Sequence, residues 1–531
     1  MPMAQLARTW RHTVLLVIVS AHSLLAQVLN PEQFRHYVER FNRIFPEEVV
    51  NAIPDQAAWD WMVRNIPWFE CPDKEIEELY YYRWWAYRKH IRHTPRGYII
   101  TEFLKPVSHA VEYNALSCAL GHHVYEGRWL RDPQYLDDHL RFWLCGGPDG
   151  RLHPALHRYS GWIADAVWNR WLVDQRTDFA LSLLDALVED FRAWERERRL
   201  PDGLFWQYDV RDGMEESASG SRTAKNIRPT INSYMYGNAV GLAQLARLAG
   251  QHQLAHQFEQ EAIRLRRLVE RHLWDPQARF FKVRLESGQL APMRELIGYV
   301  PWYFKLPTPR RGFEVAWKEL FDPTGFYAPF GPTTVERRHP SFRIAWDGDD
   351  CQWNGPSWPF LTSMVLRAMA NVIQEYPQRV LGKEHYWSLF RIYTRSQHRR
   401  LPDGTLVPWI DENLEPFTGE WLARAKKIKK GRFYGRGDHY NHSTYADLLI
   451  TGLVGLRPRA DELIEVHPLL PPNEWEWFCL DAVTYHGRRL TIIWDVTGQR
   501  YGRGRGLSIW VNGAEVARAR TLSRLQGTYK K

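Results

Sequence analysis

At 531 residues, 44% hydrophobic and 25% charged, the chain has the balance of a soluble globular protein with a large core, which excludes a disordered or membrane-embedded class. Its formal net charge of +9 gathers at one end, where residues 487–531 hold ten Lys or Arg against Asp495 and Glu515. The body is therefore near neutral, and with no recognised motif and no stacking platform among the basic residues, nucleic acid is excluded as a partner.

Arg8 and Arg11 precede the short apolar run Val14–Ser20, and Ser23-Leu24-Leu25-Ala26 ends it on a small residue. This pattern predicts an export signal over 1–26, with an uncleaved anchor as the alternative; no later run is long and apolar enough to span a bilayer. Asn30-Pro31-Glu32-Gln33 reads as N-cap, first helical Pro and capping-box Gln, opening a helix through about Phe45. Beyond it the periodic segments are amphipathic and come in pairs. Leu181, Leu184, Leu187, Phe191 and Trp194 keep helical spacing, as do Leu242, Leu245 and Leu248 before Gly250, then Phe258, Leu265, Leu268 and Val269. Helix pairs joined by long polar loops predict a mainly α fold, an (α/α)6 toroid over 27–464 whose loops build a concave face. The alternative is an open α-solenoid, against which stands the lack of a fixed repeat length. From about 465 to 531 the pattern turns β-like: Leu490–Trp494 is rich in β-branched and aromatic residues, and Leu507–Val511 meets Ala514–Ala517 across Asn512-Gly513, a two-residue hairpin turn. Cys71, Cys118, Cys145, Cys351 and Cys479 are scattered, with neither zinc spacing nor a disulfide framework, though one or two disulfides are open to an exported chain.

The chemistry lies in the loops. Trp346-Asp347-Gly348-Asp349-Asp350-Cys351-Gln352-Trp353-Asn354-Gly355-Pro356-Ser357-Trp358-Pro359 sets indole faces beside carboxylate and amide groups, the pairing that sugars require, and the chain's 26 Trp exceed what a core needs. Asp347, Asp349 and Asp350 lack the spacing of a calcium loop, so neither metal nor organic cofactor is expected. Leu200-Pro201-Asp202-Gly203 recurs as Leu401-Pro402-Asp403-Gly404. Each copy is followed by a Trp and acids: Trp206 with Asp209, Asp212, Glu215 and Glu216, and Trp409 with Asp411, Glu412 and Glu415. If the helix pairs close into a ring, the two loops offer carboxylates across a pocket, as glycoside hydrolysis requires. Glu102, with His109, Glu112 and Asn114, is a further candidate wall, the alternative being helix-end hydrogen bonding. Arg436-Gly437-Asp438-His439-Tyr440-Asn441-His442 also fits a polysaccharide lyase, in which Tyr or His removes a proton beside a uronate. The basic run Arg424–Arg436 reads either as a solvated loop or as a greeting for an acidic sugar.

Three of these segments resemble one family. Asp212-Gly213-Met214-Glu215-Glu216-Ser217 ahead of Asn232-Ser233-Tyr234-Met235-Tyr236 is similar to the general-acid segment of the inverting (α/α)6-barrel glycosidases, which include trehalases, processing α-glucosidases and mannosylglycerate hydrolases. Trp353–Pro359 resembles their Trp-x-Gly-Pro-x-Trp substrate loop, and Glu412-Asn413-Leu414-Glu415-Pro416-Phe417-Thr418-Gly419 resembles their general-base loop, in the same order along residues 60–460. Two positions depart from the pattern: Glu215 stands where much of the family has Asp, which keeps Asp212 as a rival acid, and Asn354 stands where an Arg is frequent. Together with the export signal, the resemblance implies an exo-acting, inverting hydrolase of oligo- or polysaccharide, with Glu215 or Asp212 as acid and Glu412 as base. Trp206, Trp346, Asp347, Trp353, Asn354, Gly355, Trp358, Trp409, Tyr440, His442 and Glu102 would contact the sugar. The alternatives are the lyase and a carbohydrate-binding protein without catalysis.

Overall fold

The computed structural model describes residues 27–344, 351–429, 431 and 435–529. The export signal expected over 1–26, and the site candidates Trp346, Asp347, Asp349 and Asp350, lie outside the described residues.

The chain is helix-rich, with its longer strands near the C-terminal end. Asn30 caps the first turn by accepting a hydrogen bond from the Glu32 amide, and a 3-10 turn over Pro31–Phe34 leads into the helix Arg35–Ile44. The helix Lys74–Lys89 is buried on nearly every side, Tyr80, Tyr81, Trp84 and Trp85 among aromatic rings and Arg88 and Lys89 against Asp55. Pro229 and Pro359 each open a long helix, Pro229–Leu248 and Pro359–Glu375, at the first-turn positions where no amide is needed. Pro229–Leu248 packs against His252–His272 on one side and Ile163–Asp174 on the other. The second contact is close because Gly241 has no side chain; a Cβ there would sit 2.6 Å from the Ala164 carbonyl oxygen. The helical spacing from Leu181 to Trp194 is split at Leu183 into Thr177–Ser182 and Leu184–Arg198.

The repeated Leu-Pro-Asp-Gly segments adopt one turn. In each copy the glycine amide donates back to the leucine carbonyl, 2.8 Å for Gly203 to Leu200 and 2.9 Å for Gly404 to Leu401. In each, the aspartate side chain accepts the amide two residues on, and the glycine takes a positive φ, 96° and 86°. A tight reversal with a left-handed final residue needs this sequence. Each turn follows a helix and returns the chain so that Trp206 and Trp409 donate their amides to Arg198 and Gln397.

A five-stranded antiparallel sheet runs in the order Trp68–Glu70, Trp477–Tyr485, Arg488–Asp495, Gly506–Val511, Ala514–Ala519. Val511 pairs with Ala514 across Asn512-Gly513, both at positive φ, the hairpin geometry that Asn-Gly favours. The edge strand Trp68–Glu70 comes from the far end of the chain and gave no period-two signal in three residues. A second small sheet joins Leu456–Arg457, Leu463–Val466 and Leu525–Thr528. Among the described residues no helix is long and apolar enough to cross a membrane, and no disulfide joins the cysteines.

Candidate active site

Beyond its second turn the chain presents Trp409 to Leu422 as a loop braced from behind. Asp411 accepts the Glu412 amide at 2.9 Å and the Arg424 guanidinium at 2.8 Å, and the Asn413 side chain accepts the Ala423 amide at 3.0 Å. Gly437 lies so near that a Cβ would collide with the Asp411 carboxylate. Glu412 is only 1% exposed. Its Oε1 accepts from Lys427 Nζ at 2.7 Å and Arg436 Nε at 2.9 Å, and its Oε2 from Arg436 Nη2 at 2.5 Å, with Cys351 Sγ 3.8 Å away. Burial pushes this carboxyl up, but Arg436 and then Lys427 outweigh it and bring it down to about 2. Glu412 is therefore ionised at any ordinary pH.

The other acidic loop is built around an ion pair. Asp212 and Arg228 both have wholly buried side chains and meet at 2.7 Å, and the Thr230 hydroxyl also donates to Asp212. Gly213, at φ 67°, turns the chain against Cys118, Met214 enters the core, and Glu215 is half-buried. Burial raises the Cys118 thiol well above its usual range, and the charges of Glu102, Glu215 and Asp212 add to the effect, so all three carboxylates lie within electrostatic reach of one sulfur.

Backbone hydrogen bonds join both loops to the tryptophan loop. The Trp353 amide donates to the Glu215 carbonyl at 3.1 Å, and Ser357 and Leu414 exchange amide–carbonyl bonds at 3.0 and 2.9 Å. Trp353 and Trp358 stack on each other, ring centres 4.3 Å apart, and are nearly fully buried. The Asn354 side chain accepts from Gln352 at 2.8 Å, and the Gly355 amide donates to Thr334 at 2.9 Å where the Arg343 backbone leaves no room for a Cβ.

Glu102 supplies a third carboxyl. It is buried, accepts the Tyr440 hydroxyl proton, and among the described residues its Oε2 has no hydrogen-bond partner. Burial raises it to about 7; Tyr440 opposes that shift and the negative charge of Glu412 adds to it. His442 lies against Tyr440 with ring centres 3.9 Å apart, and burial lowers it to about 3, so it is neutral at ordinary pH. The structure thus brings together Asp212, Glu215, Glu412, Trp353, Asn354, Gly355, Trp358, Glu102, Tyr440 and His442. Trp206 is held between Arg198 and Lys225, and Trp409 packs among Phe45, Arg399 and His439 with its indole N–H donating to Asp411 at 3.5 Å. Asn114 spends its side chain on the backbone of Phe103, Lys105 and Val107, so it braces a loop.

Sequence reasoning missed the cations. Lys427 and Arg436 close on Glu412 and Arg228 on Asp212, at separations with no periodic signature. The one available signal was the basic run that follows the acidic loop directly, which the solvated-loop reading passed over. A cavity of about 970 Å³ opens against the loop that carries Glu412, beside Arg399, Trp421 and Arg424, and none of the three carboxylates lines it.

A family model described as a mannosylglycerate hydrolase MGH1-like glycoside hydrolase domain matches residues 112–443, and one described as the C-terminal domain of glycosyl hydrolase family 65 matches residues 456–518. Among solved structures, one named Sialidase is 48% identical with a TM-score of 0.89, over 94% of this chain and 45% of that one, so the chain spans less than half of that protein. The GH63 mannosylglycerate hydrolase from Thermus thermophilus in complex with Tris matches at 15% identity and a TM-score of 0.51, over 70% of this chain and 100% of that one. The α-L-rhamnosidase of Streptomyces avermitilis matches at 12% and 0.52, over 85% and 38%. These last two are likenesses of fold. The first match takes in Asp212, Glu215, the tryptophan loop and Glu412 and covers more than half of the sequence: the chain belongs to the mannosylglycerate hydrolase MGH1-like glycoside hydrolase family.

Proposed function

We propose that the protein is an exported, exo-acting glycoside hydrolase, built on an (α/α)6 toroid over 27–464 with a β domain over 465–531, that cleaves with inversion. Glu215 protonates the leaving oxygen and Glu412 takes a proton from the attacking water. The observation that carries this reading is the chain of backbone hydrogen bonds from Glu215 through Trp353, and from Ser357 to Leu414, which fixes the two acidic loops to one tryptophan segment. Asp212 is the weaker acid candidate because it is committed to Arg228 beneath the loop. The name of the 48% identical structure favours a sialoside as substrate.

The test is hydrolysis of a panel of sialosides and neutral α- and β-linked oligosaccharides by the native chain and by Glu215→Gln and Glu412→Gln. Each variant should lose about 10²–10⁴-fold in kcat, the usual contribution of a positioned acid or base, while still binding ligand. Near-native turnover by Glu412→Gln would remove it as the base. Release of an unsaturated product absorbing in the near ultraviolet would make the protein a lyase.

A further inference from the structure

We infer that Arg436 is a displaceable cover on Glu412, and that a carboxylate carried by the substrate draws it away and so frees the base for acidic glycosides. The inference rests on the glycosidase reading above and adds the group the substrate must carry.

An ionised carboxylate offers about four lone-pair sites. Glu412 spends them on Lys427, on the Nε and Nη2 of Arg436, and on the approach of Cys351. A base in that state has three of its sites filled by cations and the fourth faced by a thiol, which leaves a water no unhindered approach. Held at about 2, it is also too weak to assist proton removal well. One partner must yield before the reaction proceeds, and the partners differ in access. The Lys427 side chain is 7% exposed, whereas that of Arg436 is 25% exposed, so Arg436 is the cation a ligand meets first.

The exchange is chemically matched. A guanidinium binds any carboxylate through the same planar fork, so an acid group on the substrate can replace Glu412 on Arg436 with little loss of pairing. The face of Phe103 lies 5.5 Å from the guanidinium carbon and offers a surface against which it can turn. Lys427 remains on Glu412 and keeps it ionised, while the loss of Arg436 makes it a stronger base. A neutral glycoside offers Arg436 only hydroxyl acceptors, without the charge or the planar fork of a carboxylate, and leaves Glu412 covered. No bond is made or broken in the exchange; two ion pairs trade one partner.

The experiment measures calorimetric binding of N-acetylneuraminic acid, glucuronic acid and glycerate, each beside its amide, to the native chain, Arg436→Gln and Arg436→Lys. At least one acid should bind native protein about tenfold tighter than its amide, because only the acid can take the place of the Glu412 carboxylate on the Arg436 fork. Which acid does so tells a 2-keto-acid sugar from a uronate and from an acidic aglycone. The preference should fall to about twofold or less in Arg436→Gln and persist, weakened, in Arg436→Lys. A fixed orienting role for Arg436 would not move this ratio. Equal binding of acid and amide by the native chain, failure of all three acids to bind, or a preference that survives Arg436→Gln in a folded variant would each overturn the inference. Equal cleavage of neutral and acidic glycosides would also overturn it while leaving the glycosidase reading in place; absence of cleavage on any glycoside would instead remove that reading.

Discussion

Asp212 and Glu412 are both buried carboxylates bound to arginine, yet their surroundings give them different work. Asp212 meets Arg228 where neither side chain reaches solvent, so the pair fixes the loop that presents Glu215. Removing one partner strands the other charge, and Asp212→Ala should cost about 3–5 kcal/mol of stability by denaturant unfolding. A loss near zero would mean the pair is dispensable. Glu102 behaves in the opposite sense. Because burial raises it to about 7, the folded chain holds its proton where the unfolded chain has released it. Its contribution is complete below the unfolded value near 4.5, declines as pH rises through about 7, and is gone above that. Glu102→Gln cannot ionise, so the drop in melting temperature between pH 5 and pH 8 should be smaller in that variant, by an amount reflecting on the order of 3 kcal/mol. An unchanged drop would show that Glu102 titrates normally.

At the scale of loops and helices, what could be read in advance was what short-range chemistry encodes. Pro-Asp-Gly and Asn-Gly turns were legible because each needs a left-handed residue at a fixed place, and the helix opening at Asn30 because its cap is local. The contacts that complete the candidate site are different in kind. Glu412 meets Arg436, and Trp353 meets the Glu215 carbonyl, across stretches of chain whose periodicity says nothing about which loops will touch. The strand Trp68–Glu70 was invisible for the same reason, since three residues find their sheet only through a partner more than 400 positions away. The loops are packed closely enough to be tested. Gly437→Ala would drive a methyl into Asp411, which is fixed by Arg424 and by the Glu412 amide. If Glu412 is the base as proposed, displacing it by about an ångström should lower kcat on the order of 100-fold. A native kcat in that variant would show that Glu412 need not be held so tightly.

Across the whole molecule the two ends of the described chain are bound together. Asp481 accepts the amides of Val28 and Leu29 at 2.7 and 2.9 Å, Trp68–Glu70 edges the C-terminal sheet, and Arg500 and Tyr501 reach Glu70 at 2.6 and 3.0 Å. Part of the basic tail is thereby paired with the body, through Arg500 on Glu70. Backbone hydrogen bonds tie both acidic loops to the tryptophan segment, and under the roles proposed the separation of Glu215 and Glu412 has a stereochemical consequence. An acid and a base separated by about 6.5–9.5 Å admit a water between them and invert the anomeric centre, whereas about 5 Å gives a covalent intermediate and retention. Proton NMR of the first sugar released, recorded before mutarotation, reads that outcome directly. Inversion, with loss of turnover in Glu412→Gln, is the predicted result; retention of configuration would contradict the roles assigned to Glu215 and Glu412.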